Sequence, residues 1–349
     1  MATSADVFIA AHLAHAPRVP ELNVPTSLDA WVARRREIQR TLRGLLGRLP
    51  PRPRPVSARV LATFEAEHYT TDKFELDNGA GETIPGVLLL PKQRPARVPA
   101  VMWCHWHGNE YRKGKVEVFE SRHTPEPPGA ALTRRGFAVL AIDAPGFGAR
   151  QRRGPGGAQL EGEAAELAAG KFHLWYGRTL WGMMLRDDRL ALDYLLTRPE
   201  IDANRIGVTG ISMGATRAWW LMALDERFRA GVAVACLTRY QDLIAAGGLN
   251  EHGLYYYVPG MLAHFDTEAV VALAAPRPLL ALTGDQDPGS PLAGVRAIER
   301  KARQVYTLYE VPDSFASRVF PGVGHEYTPA MWTAMLEWFE RRLGGTPAR

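Results

Sequence analysis

Three residues set far apart in this chain of 349 could together make a hydroxyl reactive: Ser212, Asp287 and His325. Ser212 stands in Gly210-Ile211-Ser212-Met213-Gly214, where the β-branched run "RIGVTGI" gives way to the helical run "GATRAWWLMALD". In a strand–turn–helix setting this spacing lifts the hydroxyl above the sheet edge. A Cβ at either glycine would collide with the neighbouring strand or helix. The turn also aims the Met213 N–H and the new helix's N-terminus at one point, which suits an oxyanion. Near neutral pH a serine hydroxyl is a poor nucleophile and needs a base, and the base needs an orienting acid. Both follow in order. "GDQDPGSP", after the run "PLLALTG", offers Asp285 and Asp287; "FPGVGHEYTP" offers His325 just before the last helical pattern. Asp287 is preferred as the acid because it lies a few residues beyond the strand, whereas Asp285 suits a helix cap. Gly322 and Gly324 free the backbone to swing the imidazole inward. Alone, G-x-S-x-G is a weak pattern, and an idle serine at a turn is the plain alternative. The ordered companions at strand ends favour a catalytic serine.

The oxyanion needs a second donor, expected from the loop after an early apolar strand, "VMWCHWHGNEYRKG". His107 is expected to give its backbone N–H, with His105 structural and the Gly108–Asn109 peptide as the alternative. His105 and His107 form an H-x-H pair, but no third ligand is recognisable nearby, so a metal site is not expected. No cofactor is implied.

Holding these residues requires a sheet. "VPAVMWCH", "GFAVLAID", "RIGVTGI", "AGVAVACL", "RPLLALTG" and "SRVFPG" read as strands. Helical patterns such as "GAALTRRG", "DDRLALDYLLTR" and "PAMWTAMLEWFERRL" separate them. Apolar strands alternating with helices predict an α/β fold with a mostly parallel central sheet covered on both faces. Upstream, "ARVLATFEAEHYTTDKFEL" and "TIPGVLLLP" add strands around the turn "DNGAGE". Residues 1–57 read as an N-terminal extension: a Pro-punctuated arm to about residue 25, then an amphipathic helix. Thr26 or Ser27 caps that helix, Trp31, Ile38, Leu42 and Leu45 face the body, and prolines at 50–55 stop it. Residues 58–349 form the main domain. Two stretches near 149–182 and 238–268 break the alternation and read as cap-like insertions over a site. Their aromatics Trp175, Tyr176 and Trp181 and the Tyr255–Tyr257 run, Tyr256 among them, are candidate substrate-lining residues, as is Trp106. Roof packing is the plain alternative.

Composition narrows the class. Hydrophobic residues make up 46% and charged residues 23%, as in a soluble globular protein. The net charge of +5 comes from 42 basic and 37 acidic residues that mostly alternate, as in "MLRDDRLALD". The nearest basic cluster, Arg150, Arg152 and Arg153, reads as a solvated loop, so a nucleic-acid partner is not expected. No apolar run reaches about 18 residues, so no membrane span is expected. Cys104 and Cys236 sit in apolar runs and read as free buried thiols; with an N-terminus unlike a signal peptide, this points to the cytoplasm. The N-terminal arm and helix could mediate a homo-oligomer.

The segments "DAPGFGAR", "LRDDRLALDYLLTRPEIDANRIGVTGISMGA", "ALDERFRAGVAVACL" and "LAAPRPLLALTGDQD" carry a resemblance. Over roughly residues 58–342 the chain resembles the α/β-hydrolase superfamily, in particular bacterial serine esterases grouped with acetyl xylan esterases and dienelactone-hydrolase-like proteins. The resemblance implies a carboxylic-ester hydrolase acting on a small-molecule, short-chain (acetyl-type) ester. Ser212, Asp287 and His325 would be its triad, and Met213 and His107 its oxyanion donors. Where relatives carry His-Gly after the early strand, this chain has His105-Trp106. Ser212 argues against dienelactone hydrolase activity proper, which uses cysteine there, and against haloalkane dehalogenation, which uses aspartate. The alternatives are a peptidase or amidase of the same fold, which would normally bring a large extra domain, or a non-hydrolytic acyl-binding or acyl-transfer protein.

Overall fold

Unbroken apolar runs bounded by turns set the strands, and amphipathic segments between them cover the faces. The computed structural model describes residues 4–344. Two helices, α1 (Ser4–His15) and α2 (Leu28–Leu46), precede the strands β1 (Ala58–Glu65), β2 (Tyr69–Asp77) and β3 (Thr83–Pro91). Next come β4 (Val98–Cys104), α3 (Pro128–Arg134), β5 (Ala138–Ile142), α4 (Gly162–Trp175), α5 (Leu180–Leu195), β6 (Ile201–Ile211) and α6 (Met213–Leu224). The chain continues through β7 (Ala230–Val234), α7 (Tyr240–Ala245), α8 (Thr267–Ala272), β8 (Leu279–Gly284), α9 (Leu292–Leu308), β9 (Phe315–Phe320) and α10 (Pro329–Leu343). The strands form one sheet in the order β1-β2-β3-β5-β4-β6-β7-β8-β9. β1, β2 and β3 pair antiparallel, and β3 meets β5 antiparallel. From β5 through β9 every pairing is parallel. This is the α/β-hydrolase architecture.

β4 shows why the sheet is buried on both sides. Successive side chains alternate faces. Ala100, Met102 and Cys104 enter one core with Trp31 of α2, Leu185 of α5, Trp219 of α6 and Val295 of α9. Val101 and Trp103 enter the other with Leu132 of α3 and Met335 and Phe339 of α10. Ser27 caps α2 by accepting the Ala30 N–H at 3.3 Å. The helix buries Trp31, Ile38, Leu42 and Leu46. Leu46, not the expected Leu45, completes the row because 38, 42 and 46 recur every four residues on one face.

One charged stretch differs from expectation, and a second is buried with it. Arg150 is buried rather than solvated: its Nη1 donates to Asp187 Oδ2 at 2.8 Å and it also binds Glu82. In α5, Arg186, Asp187 and Asp188 are all buried. Asp188 receives Arg217 Nε of α6 at 2.9 Å, so a buried ion pair joins the two helices directly beneath the site. Charges tolerate such burial only when paired. Cys104 and Cys236 are free and buried. No described helix is long and apolar enough to cross a membrane.

Candidate active site

The turn between β6 and α6 is strained. Ser212 has φ 57° and ψ −118°, a region that side-chain-bearing residues rarely enter. A Cβ on Gly210 would lie 2.2 Å from the Cys104 carbonyl oxygen at the end of β4, and one on Gly214 only 2.0 Å from it. Only glycines let β4, the turn and α6 meet this closely. The Ser212 N–H donates to the Val234 carbonyl at 3.0 Å, which ties the turn to β7.

Two further strand ends meet this turn. β8 ends at Gly284, where a Cβ would stand 2.1 Å from the Val323 carbonyl oxygen. The loop after β9 therefore lies directly on the end of β8. Asp285 Oδ1 accepts the Gly322 N–H at 2.7 Å. It thus ties down the loop that carries His325 and does not cap α9. His325 Nε2 lies 2.8 Å from Ser212 Oγ, and its Nδ1 lies 2.9 Å from Asp287 Oδ1. The Asp287 carboxylate is fully buried, and its Oδ1 also accepts the Gly289 N–H at 2.9 Å. An imidazole held on Nδ1 by a carboxylate can take a hydroxyl proton on Nε2.

The loop after β4 faces the same hydroxyl. His105 is buried; its Nδ1 donates to the Trp106 carbonyl at 2.8 Å and its Nε2 accepts the Ala144 N–H at 3.1 Å. Burial holds its pKa well below the usual imidazole range, so it stays neutral and joins the ends of β4 and β5. The His107 ring turns into the roof. Its Nδ1 accepts the Asn109 N–H at 3.1 Å, its Nε2 donates to Glu166 Oε2 at 2.8 Å, and Tyr255 stacks on it at 4.7 Å. The Trp106 N–H is also committed, to Glu117 Oε2 at 2.9 Å. The alternative Asn109 donor is therefore spent, whereas the His107 and Met213 N–H groups donate to no described residue. A Cβ at Gly108 would sit 1.6 Å from Trp106 Nε1. The small residue two places on is what lets the indole fold over the loop.

A cavity of about 390 Å³ opens over Ser212, between Trp106 and His325 on one side and Glu163, Glu166 and Leu167 of α4 on the other. The turn at 250–255 closes it with His252 and Tyr255. Of the expected lining residues, Trp106 and Tyr255 reach this cavity. Trp175 and Tyr176 lie outside, 89% and 65% exposed, at the far end of α4. Trp181 and Tyr256 are wholly buried, Trp181 against Trp220 and Tyr256 beneath the stacked ring of His252 at 4.1 Å. The residues the sequence reading missed are Glu166, Tyr111 and His252. His252 is buried, and its Nε2 has no hydrogen-bond partner among the described residues. Burial, helped by the charge of His325, pushes its pKa down to about 4, so it faces the cavity neutral. No spacing in "GLNEHGLYYY" marks it. Among the described residues no group of three or more His, Cys, Asp or Glu side chains could hold a metal ion.

A strained serine turn on a mostly parallel sheet, facing an imidazole and a buried carboxylate from later strand ends, defines a serine hydrolase of the α/β-hydrolase superfamily. The chain belongs to the prolyl oligopeptidase family, whose family model matches residues 169–346. A candidate hydrolase of Bacillus subtilis (strain 168), YtaP, is 38% identical over 283 residues, 80% of this chain and 91% of that protein. Solved structures share the fold at low identity. A candidate acetyl xylan esterase from Bacteroides fragilis matches with a TM-score of 0.69 at 17% identity, over 92% of this chain and 83% of that one. A glucuronoyl esterase from Solibacter usitatus matches with a TM-score of 0.69 at 17% identity, over 93% and 99%.

Proposed function

We propose that this serine hydrolase cleaves carboxylic esters with a short, acetyl-type acyl group through an acyl-enzyme on Ser212. The observation that carries the reading is the continuous relay from Ser212 Oγ through His325 to the buried Asp287, at 2.8 and 2.9 Å. His325 Nε2 takes the hydroxyl proton as Oγ attacks the carbonyl. The N–H groups of Met213 and His107 receive the oxyanion, each worth about 3 kcal/mol to the transition state. His325 then protonates the departing alcohol and later activates water. Asp287 holds the Nδ1–H tautomer and supports the imidazolium.

The half-buried Trp106 ring lies 5.7 Å from the His325 ring and stacks on His123 at 4.2 Å, which crowds the space beside the serine. That crowding supports a short acyl group. The far wall is polar, with Glu166, His252 and Asn250, and fits a hydroxyl-bearing alcohol such as a sugar. The esterase names of the structural relatives agree with this reading.

Family membership favours one second reading, hydrolysis of a peptide or amide bond at the same serine. A panel of p-nitrophenyl acetate, butyrate and octanoate, acetylated sugars and peptide p-nitroanilides separates the two. The expected result is fastest turnover of acetyl esters, reduced by at least about four decades in Ser212→Ala. Turnover that survives in that variant, or a preference for octanoate or the anilides, overturns the ester reading.

A further inference from the structure

The turn Gly114–Phe119 places a carboxylate under the loop that follows β4. Glu117 is buried, and each of its two oxygens accepts a different donor. Oε1 takes the Trp103 indole N–H at 2.8 Å, and Oε2 takes the Trp106 backbone N–H at 2.9 Å. Trp103 belongs to β4 and is wholly buried, so it is a fixed post. Trp106 begins the run that presents the His107 peptide to Ser212, and its ring reaches His325.

We propose that Glu117 is a positioning residue for the reaction: by accepting from both donors, its carboxylate fixes the Trp106–His107 peptides and the Trp106 ring against the serine and the histidine. The inference rests on the reading of Ser212 as nucleophile and of the His107 N–H as oxyanion donor.

The chemistry of the pair of donors makes the argument. Only a carboxylate offers acceptors at both ends. A protonated acid or a glutamine turns an O–H or N–H toward one of the two donors and leaves it opposed. Yet burial favours the neutral acid and pushes the Glu117 pKa up to about 7. The charged groups around it pull both ways. Arg217 of α6 favours the anion, and Glu110 of the following loop opposes it. Cys104 of β4 lies close enough to feel its charge. Charges on its own turn and on other elements are spent elsewhere: Lys115 on Asp143, Arg134 on Glu126, Arg135 on Glu340 and Arg150 on Asp187. The sign follows. A carboxyl with a raised folded pKa gives stability that is fully present below its ordinary value and is lost as pH rises through about 7. Positioning needs the opposite form, so activity gains over the window in which this group's stability contribution fades.

The test compares wild type, Glu117→Gln and the double variant Trp103→Phe with Glu117→Gln. Their kcat and KM for p-nitrophenyl acetate are measured from pH 5 to 9, with thermal midpoints and fluorophosphonate labelling alongside. In Glu117→Gln, kcat falls about tenfold or more and KM stays within about twofold, the mark of a transition-state effect. Labelling slows and the midpoint does not drop. Protonating the carboxyl withdraws the same acceptor, so the ratio of wild-type to variant kcat shrinks toward one as pH falls from 9 to 5. Removing the indole donor frees the Gln carbonyl for the Trp106 N–H, so the double variant recovers kcat to within about threefold. Wild-type kcat in Glu117→Gln, a ratio of wild type to variant that stays constant from pH 5 to 9, or no recovery in the double variant overturns the proposal. The double variant, in which no donor is opposed, keeps the test open where Glu117→Gln fails to fold. Activity surviving in Ser212→Ala would instead remove the underlying reading of the site.

Discussion

The relay and the roof stand on opposite sides of Ser212 and are held in different ways. Every relay residue follows a strand end within five residues, and short hydrogen bonds pin the loops. The Ser212 N–H binds the Val234 carbonyl, and Asp285 binds the Gly322 N–H. The parallel strands β6, β8 and β9 end at one rim, so three loops distant in sequence converge there. The roof has no such rail. It is made of α4 and short turns between 238 and 268, and a rotation of one residue decides whether an aromatic lines the cavity or the core. Tyr255 and Tyr256 are neighbours in one three-residue turn, yet Tyr255 faces the cavity while Tyr256 supports His252 from below. Strand ends therefore fix where a reactive group sits, whereas packing fixes what a roof presents.

Four substitutions sharpen that contrast. The largest effect belongs to the relay. Asp287→Asn preserves shape but favours the wrong imidazole tautomer, and kcat should fall about 10,000-fold with little change in KM. A loss under about tenfold would mean that the relay is not used as built. Next comes the support beneath the elbow. Arg217→Met leaves Asp188 as an unpaired buried charge and should cost about 3–5 kcal/mol in urea unfolding. A change below about 1 kcal/mol would show that α5 and α6 do not depend on the pair. The smallest effects are expected in the roof, where paired variants compare inside with outside. His252→Ala should raise KM several-fold for a sugar acetate while leaving p-nitrophenyl acetate nearly unchanged. Trp175→Ala, at a side chain 89% exposed, should alter stability by no more than about 0.5 kcal/mol and leave both substrates alone. Equal effects of the two variants would erase the distinction between cavity wall and outer surface.

The same contrast explains what could be read before the fold was known. The parallel sheet was legible because its strands are apolar on both faces and alternate with helical periods. Glycines at 210 and 214 announced the elbow because close approach of β4 leaves no space for a Cβ. Asp287 could be preferred to Asp285 by distance from the strand, although the actual bond of Asp285, to Gly322, was invisible. The burial of the α5 segment "LRDD" was not legible, because pattern alone cannot show that its partners Arg150 and Arg217 arrive from other elements. Glu117 and Glu166 had no motif at all. Each matters only through donors brought to it by the fold, Trp103 and Trp106 for one, His107 and Tyr111 for the other.

The sequence by itself determined the order of strands and helices, the elbow at Ser212 and the candidates Asp287 and His325, because backbone sterics and apolar periodicity act over a few residues. The tertiary structure alone decided which carboxylates are buried and paired, which aromatics wall the cavity and which peptide N–H groups remain free to receive an oxyanion. Those outcomes depend on the direction of side chains from segments that can lie more than a hundred residues apart, and only packing sets that direction.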